Sequence, residues 1–347
     1  MNSTPKVAIV ILNWNGLKHL QKFLPSVMAS NWPNLSVVVG DNASTDNSVG
    51  FLQAEYPQVR IIRNDANYGF TGGYNRVLQQ VEADYYILLN SDIEVTPGWI
   101  KPVITLMEQD VTVAAAAPKI RSWQQKTHFE HAGAAGGFID SYGYPFCRGR
   151  IFYEVEEDKG QYDDSGEVFW ASGAALFIRK KCWDAVGGFD ERFFAHMEEI
   201  DLCWRLKNMN YRVMYCAESE VYHVGGGTLD KENPFKTYLN FRNNLLLLKK
   251  NLPFGRSVLT ITLRFWLDLL ASIRFMNEGK RKDAWAVSRA HRNFVRTLFM
   301  REKTLPRGKA IPHHSTLYGM YKHNIVWDFF VKKKKYFSDL PQEDFYR

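Results

Sequence analysis

Short apolar runs alternate with amphipathic stretches along the amino-terminal part of the chain. Val7–Leu12 (VAIVIL) is continuously apolar and stops at Asn13, the pattern of a strand buried on both faces. Leu17–Ala29 follows at helical spacing. The alternation then repeats, with strands at Leu35–Val39, Val59–Ile62 and Tyr85–Leu89, and helices at Asn47–Tyr56 and Phe70–Glu82. Apolar strands separated by helices predict a mostly parallel central sheet flanked by helices, with right-handed crossovers. Residues 118–168 lose this rhythm, hold glycine and acidic clusters, and read as a loop-rich insertion. Trp170–Ile178 is apolar again. Cys182–Val186 and Glu198–Lys207 predict helices, and Tyr211–Tyr215 and Glu220–Tyr222 predict short strands. From Phe235 onward the pattern is mostly helical.

Composition narrows the class. The 347 residues are 46% hydrophobic and 23% charged, ordinary for a globular protein and incompatible with disorder, collagen or a coiled coil. Four cysteines without a CxxC pair exclude a small disulfide scaffold, argue against a zinc site and fit a reducing compartment. The net charge of +7 is unevenly spread. Residues 231–347 hold 24 Lys+Arg against 9 Asp+Glu, or +15, so the remainder carries −8. This asymmetry points to a rear that meets phosphate-rich surfaces. Lipid headgroups are preferred to nucleic acid, because no nucleic-acid motif accompanies the charge. There is no signal-peptide core and no uncharged apolar stretch of about 18 residues. The nearest approach, Ser257–Met276, contains Arg264, Asp268 and Arg274. The expectation is a cytoplasmic protein, peripheral on the inner face of the plasma membrane.

Polar clusters follow each of the four strands. They are Asn13-Trp14-Asn15-Gly16, Asp41 to Asp46, Asn64 to Gly73, and Asn90-Ser91-Asp92. Any one could be turn chemistry. Four in register form a single rim at the carboxyl ends of the strands, where open α/β sheets bind ligands.

At this point the sequence resembles the family-2 glycosyltransferases of the GT-A fold, in their bacterial rhamnosyltransferase-like branch. The resemblance rests on ILNWNG, DNASTDNS, NYGFTGGYN and LLNSDIEV, then on GGFDERFFAHMEEIDLCWRL and YHVGGGT, over residues 5–250. It implies a Rossmann-like GT-A domain at 1–233, with a nucleotide-sugar half at 1–117 and an acceptor half at 118–233. A basic, mostly helical region at 234–347 follows. It also implies inverting transfer of a sugar from a UDP- or dTDP-sugar, dTDP-rhamnose being one option, to a saccharide acceptor on a lipid carrier, in cell-surface polysaccharide synthesis.

The resemblance assigns roles to individual residues. Asp41 would accept the base imide N–H, in preference to capping a helix, since Asp46 is better placed to cap. Asn13, Asn15, Asn67, Gly69, Gly73 and Asn90 would complete the donor side, with phosphate favoured at the helix start after Asn67. Asp92, in a DxD-type motif whose first position is Asn, would hold a divalent metal, Mn²⁺ or Mg²⁺, joined by His223. Glu199 stands where the family has its catalytic Asp, one methylene longer, and would deprotonate the acceptor hydroxyl, with Glu198 as rival. Trp170, Ser172, Gly173 and Asp201 would line the acceptor side. Two other readings stand beside this one. One is a non-catalytic nucleotide-sugar binding protein of the same fold. The other is a Rossmann oxidoreductase, against which the missing GxGxxG argues.

In the rear, Tyr238–Lys250 resembles the helix that follows the catalytic domain in this branch. Next, Thr260, Arg264, Asp268 and Ser272 trace one narrow polar stripe on a helix otherwise filled by Leu259, Ile261, Leu263, Phe265, Trp266, Leu267, Leu269 and Leu270. So wide an apolar face suits an anionic membrane interface, or packing on the catalytic domain.

Overall fold

The computed structural model describes residues 4–225, 233–299 and 313–347. Strands β1 (Val7–Asn13), β2 (Leu35–Asp41), β3 (Arg60–Arg63) and β4 (Tyr85–Leu89) form where the apolar runs place them. They are joined by α1 (Leu17–Met28), α2 (Ser48–Glu55) and α3 (Gly69–Leu78). All four run parallel. β1 pairs with β2 from Val7↔Leu35 to Asn13↔Asp41 and with β4 from Val7↔Tyr85 to Ile11↔Leu89, and β3 lies outside β2. Every residue of β4 is buried, as expected of a parallel strand covered on both faces.

After β5 (Ile93–Val95) and α4 (Ile100–Gln109), β6 (Val113–Ser122) returns to the sheet. Four short strands follow, β7 (Gly137–Asp140), β8 (Pro145–Cys147), β9 (Arg150–Ile151) and β10 (Glu154–Val155), then β11 (Gly166–Glu167). The main sheet is completed by β12 (Ala175–Arg179), α5 (Lys180–Val186), α6 (Glu198–Asn208) and β13 (Arg212–His223). Its order is β11-β13-β6-β12-β4-β1-β2-β3, with β5 on β13. β12 is antiparallel to both β4 and β6, whereas β13 runs parallel to β6. These directions bring the ends of β1, β2, β4 and β13 and the start of β12 to one edge.

One expectation is corrected and two are filled in. Residues 118–168 are loop-rich, as expected, and within them β7 to β10 build a second sheet. The two short strands at 211–222 are one strand, β13, with a register shift between Cys216 and Glu220 where a bulge absorbs the extra residues. The rear is mostly helical, as expected, through α7 (Pro234–Asn251), α8 (Phe254–Asn277) and α9 (Arg281–Leu298). The chain then returns to the front half. β14 (Met320–Tyr321) adds to β7 in parallel, and α10 (Ile325–Phe330) follows. The Arg301–Lys309 basic cluster and the Gly226–Thr228 end of the glycine run lie outside the described residues.

The returning segment is part of the core. Phe337 and Phe345 stack against Phe138 at 4.8 and 5.4 Å, and Tyr321 packs 6.1 Å from Phe146. Asp140, fully buried at the end of β7, accepts the Ile325 amide at 2.9 Å. Burial pushes its carboxyl up to about 7 even though amide bonds and Arg264 pull the other way. One apolar core therefore runs through residues on both sides of position 233. All four cysteines are free and buried. Among the described residues, no helix is long and apolar enough to cross a membrane.

If the tail is core, Phe337→Ala should cost about 3–4 kcal/mol in denaturant unfolding. In a double-mutant cycle it should couple to Phe138→Ala; additive losses would make the tail a surface strap.

Candidate active site

The first two rim loops are tied to each other before any ligand arrives. Asn15, in a left-handed backbone conformation (φ 51°), accepts the Thr45 amide at 2.7 Å. The Asn15 amide and the Asn13 side chain both donate to Ser44 Oγ, at 3.0 and 3.1 Å. Asp46 accepts the amides of Leu17 and Ser48, the capping task expected of it. Asp41 is thereby free of capping. It is buried at the end of β2, its Oδ2 accepts the Ser44 amide at 3.2 Å, and its Oδ1 has no partner.

The third loop differs from expectation. Asn42 is its hub, donating to Asn67 Oδ1 at 2.8 Å and to the Gly69 carbonyl at 3.0 Å, and accepting from Asn64 at 3.1 Å. Gly69 and Gly73 serve packing. A Cβ on Gly73 would meet Leu12 at 2.8 Å, and one on Gly69 would meet the Phe194 ring at 2.5 Å. The first amides of α3, from Phe70 and Thr71, donate to the Phe194 carbonyl at 2.9 and 3.2 Å, so this helix start is spent on protein rather than offered to phosphate.

On the other side of β1, Asp92 and His223 come together although they are far apart in sequence. His223 ends β13 and opposes Ile93 of β5. Its Nε2 lies 3.2 Å from Asp92 Oδ1, and its Nδ1 lies 3.1 Å from Glu130 Oε2. The Asn90 side chain is 3.4 Å from the same Nε2. All three ionisable groups are buried. Burial works against the imidazolium, but the two carboxylates prevail and raise His223 to about 10. Burial likewise opposes ionisation of Asp92 and Glu130, and their bonds and charge contacts to His223 bring both below the usual range. Glu130 was not foreseen; it sits alone in a Gly/Ala-rich stretch, and only the topology brings it to His223. The Asp92 carboxylate beside a ring nitrogen suits a borderline cation that takes its remaining ligands from substrate phosphate. Among the described residues, no group of three His, Cys, Asp or Glu side chains is arranged to hold a metal alone.

The acids of α6 stand opposite. Glu198 and Glu199 begin the helix, and each has one carboxylate oxygen without a partner. Burial pushes both up, Glu199 to about 7. Glu198 goes well above its usual range, helped by the charges of Glu199 and Asp201. Gly173 connects the two halves of the site. A Cβ there would lie 3.6 Å from Glu199 Cβ, and the next residue, Ala174, accepts the Asn90 amide at 2.9 Å. The backbone leading into α6 is strained, with Phe194, His196 and Met197 all at positive φ (64°, 68° and 72°). Asn243 of α7 holds it, reaching the carbonyls of Phe193, Ala195 and His196 at 2.7–2.9 Å.

Three residues expected to line the acceptor side do structural work instead. Asp201 is inaccessible to solvent and is taken up by Arg205, Lys250 and Asn251, each at 2.8 Å. Trp170 is a core residue whose indole donates to the Phe138 carbonyl at 2.9 Å. Ser172 is buried and hydroxyl-bonded to the Ala132 carbonyl. A surface cleft of about 530 Å³ lined by Ala83, Tyr85, Glu108, Arg179 and Lys180 opens at the opposite edge of the sheet and holds none of these groups.

One edge of the sheet thus carries a carboxylate at the end of β2, a carboxylate–imidazole pair and the acids of α6. The glycosyl transferase family 2 profile matches residues 8–183, just over half of the chain, and the chain belongs to that family. It is 28% identical over 235 residues to N-acetylglucosaminyl-diphospho-decaprenol L-rhamnosyltransferase of Mycobacterium tuberculosis, covering 63% of this chain and 76% of that one. It is 22% identical over 259 residues to the low-salt glycan biosynthesis hexosyltransferase Agl10 of Haloferax volcanii, covering 73% and 78%. Among solved structures, S. aureus TarS in complex with UDP-GlcNAc superposes with a TM-score of 0.56 at 13% identity, over 84% of this chain and 81% of that one. GalNAc-T7 with UDP, GalNAc and Mn²⁺ gives 0.56 at 15%, over 72% and 49%. The protein is thus a glycosyltransferase of the GT-A fold.

Removing Asp201 leaves the buried Arg205 guanidinium without its carboxylate, while Lys250 keeps Asp190 at 2.8 Å. Asp201→Ala should therefore cost about 3–5 kcal/mol in urea unfolding. An unchanged stability with a raised acceptor KM would return Asp201 to the acceptor side.

Proposed function

We propose that this enzyme transfers one sugar, with inversion, from a UDP- or dTDP-sugar to a hydroxyl of a lipid-linked saccharide, at the inner face of the plasma membrane, in cell-surface polysaccharide synthesis. The observation that carries the reading is the pair of incompletely bonded acids at the start of α6, buried Glu198 and half-buried Glu199, joined through Gly173 to the Asp92–His223 pair. The mycobacterial relative acts, by its name, on a lipid-diphosphate-linked sugar, which supports the acceptor class.

On the donor side, the unpartnered Oδ1 of Asp41 accepts the imide N–H of uracil or thymine, and the Asn13, Asn15 and Asn67 loops shape its surroundings. Asp92 and His223, with Asn90 beside them, would hold a divalent cation, Mn²⁺ in preference to Mg²⁺ because of the imidazole. Bound there, the cation supplies positive charge against the departing nucleoside diphosphate.

Glu199 performs the proton transfer. Its pKa near 7 leaves a substantial ionised fraction at neutral pH, whereas burial and the neighbouring charges push Glu198 well above its usual range. The acceptor oxygen bonds to the anomeric carbon as that carbon's bond to the diphosphate oxygen breaks. The hydroxyl proton passes to the Glu199 carboxylate, and the leaving diphosphate keeps the electron pair.

Because the base must be ionised, kcat should rise with pH through about 7. Glu199→Gln should lower kcat by about 10²–10⁴-fold. Stability has the opposite slope. A raised folded-state pKa means that the folded protein holds its proton more tightly than the unfolded chain, so this stabilisation is complete below the ordinary value of 4.5 and is lost as pH rises through about 7. Glu199→Gln should therefore be more stable than the parent at pH 8, by on the order of 1–3 kcal/mol, and equal to it near pH 4. Donor binding without transfer in the parent enzyme would overturn the catalytic reading in favour of a binding protein.

Glu130→Gln should weaken Mn²⁺ binding about 10–100-fold by calorimetry in the presence of UDP or dTDP, since a carboxylate behind a ligating imidazole orients it and raises its basicity. Undiminished affinity would remove His223 from the metal site.

A further inference from the structure

Helix α8 is built inside out. The residues that it buries are Ser257, Thr260, Arg264 and Asp268, three of them members of the polar stripe read from the sequence, whose fourth, Ser272, is half-buried. Each charged member has partners inside. Arg264 bonds Asp268 at 3.2 Å, the Tyr142 carbonyl at 3.2 Å and Asn244, and lies over the Tyr144 ring. Asp268 also meets His291 of α9 at 2.9 Å. These bonds fix the rotation of the helix about its axis, so its opposite face must point away from the protein.

That opposite face is apolar. Leu259, Leu263, Trp266, Leu270 and Ile273 fall on one arc and are all exposed, Trp266 by 67%. Phe254 at the helix start is 87% exposed, and Trp285 at the start of α9 is 66% exposed. Basic side chains border the arc. Arg256 and Arg274 stand at its margin, and Lys280, Arg281 and Lys282 follow at its carboxyl end. Glu278 is the acid nearest that end and is paired with Arg274 and Lys280. The surrounding region carries the +15 of the rear half.

We propose that the outer face of α8 is a membrane-docking surface, lying in the plane of an anionic bilayer with its leucines and Trp266 in the acyl boundary and its flanking arginines and lysines at the headgroups. The arc fits that environment because it combines exposed apolar area with a cationic margin. The two buried charges keep the helix from crossing, and their inward bonds hold it flat on the surface. A second copy of the chain fits less well, since two such surfaces would bring their cationic margins together. The surface stands on α8 itself; its use in presenting the active site to a lipid-linked acceptor rests on the reading above.

The test is flotation of the full chain with vesicles of phosphatidylglycerol and phosphatidylethanolamine, against pure phosphatidylcholine, at low and high salt. The parent should float with anionic vesicles, less so in high salt. The triple variant Leu263→Glu, Trp266→Glu, Leu270→Glu should lose at least about tenfold in partitioning with an unchanged circular dichroism spectrum and melting temperature. Replacing Lys280, Arg281 and Lys282 by Gln should abolish the preference for anionic lipid. Flotation of the triple variant like the parent would overturn the proposal. So would a lipid-free parent dimer that the triple variant dissolves, which would make the face a contact between copies. Transfer to a water-soluble saccharide acceptor separates the two readings. The triple variant should retain it if α8 only docks; a parent that binds vesicles but transfers to no acceptor refutes the catalytic reading alone.

Discussion

The edge that holds the candidate site depends on one constraint, that two adjacent acids, buried Glu198 and half-buried Glu199, are kept incompletely bonded at the start of α6. Nothing local favours this. The backbone before Glu198 passes through three left-handed residues, each costing on the order of 1–3 kcal/mol. The carboxylates also lose hydration that no partner fully restores. The opposing contributions come from α7, where Asn243 bonds the strained carbonyls and Lys250 and Asn251 fix Asp201 one turn into α6. The helix after the sheet domain therefore belongs to the active-site scaffold, and a boundary near residue 233 describes the sequence better than the energetics.

The directions of the strands explain how distant residues meet. Asp41 and Asp92 follow parallel strands and share an edge for that reason. His223 reaches the same edge because β13 is parallel to β6, and Gly173 does so because β12 runs the other way. Glu130 enters from the segment after β6. One imidazole is thereby flanked by two carboxylates drawn from three separate stretches of chain.

Much of this was readable in advance, and the failures have physical causes. β1 and β4 are continuous apolar runs followed by Asn, and β2 and β3 are shorter apolar cores with polar residues at their ends, so local pattern alone locates all four. The second sheet escaped notice because its strands are two to four residues long and one partner, β14, is about 180 residues from β7. Periodicity placed the stripe of α8 on one face but could not say which face turns inward, because a period fixes an axis and not a direction along it. Trp170, Ser172 and Asp201 lie beside candidate site residues in sequence, yet Asp201 faces inward from α6 and the segment before β12 turns Trp170 and Ser172 to the core. Glu130 carried no signal, since its partner lies 93 positions away.

Asn243 and Asn244 are consecutive on α7 but serve different neighbours. The first grips the loop that leads to the acids, while the second bonds the Gly143 carbonyl and receives the Arg264 guanidinium from α8. A single helical turn thus works as a short strut between the outer helix and the reactive carboxylates. Under the proposed docking, its length sets a standoff between the surface on which α8 would rest and those carboxylates, so the fold would gauge how far an acceptor chain must project before its hydroxyl is in reach.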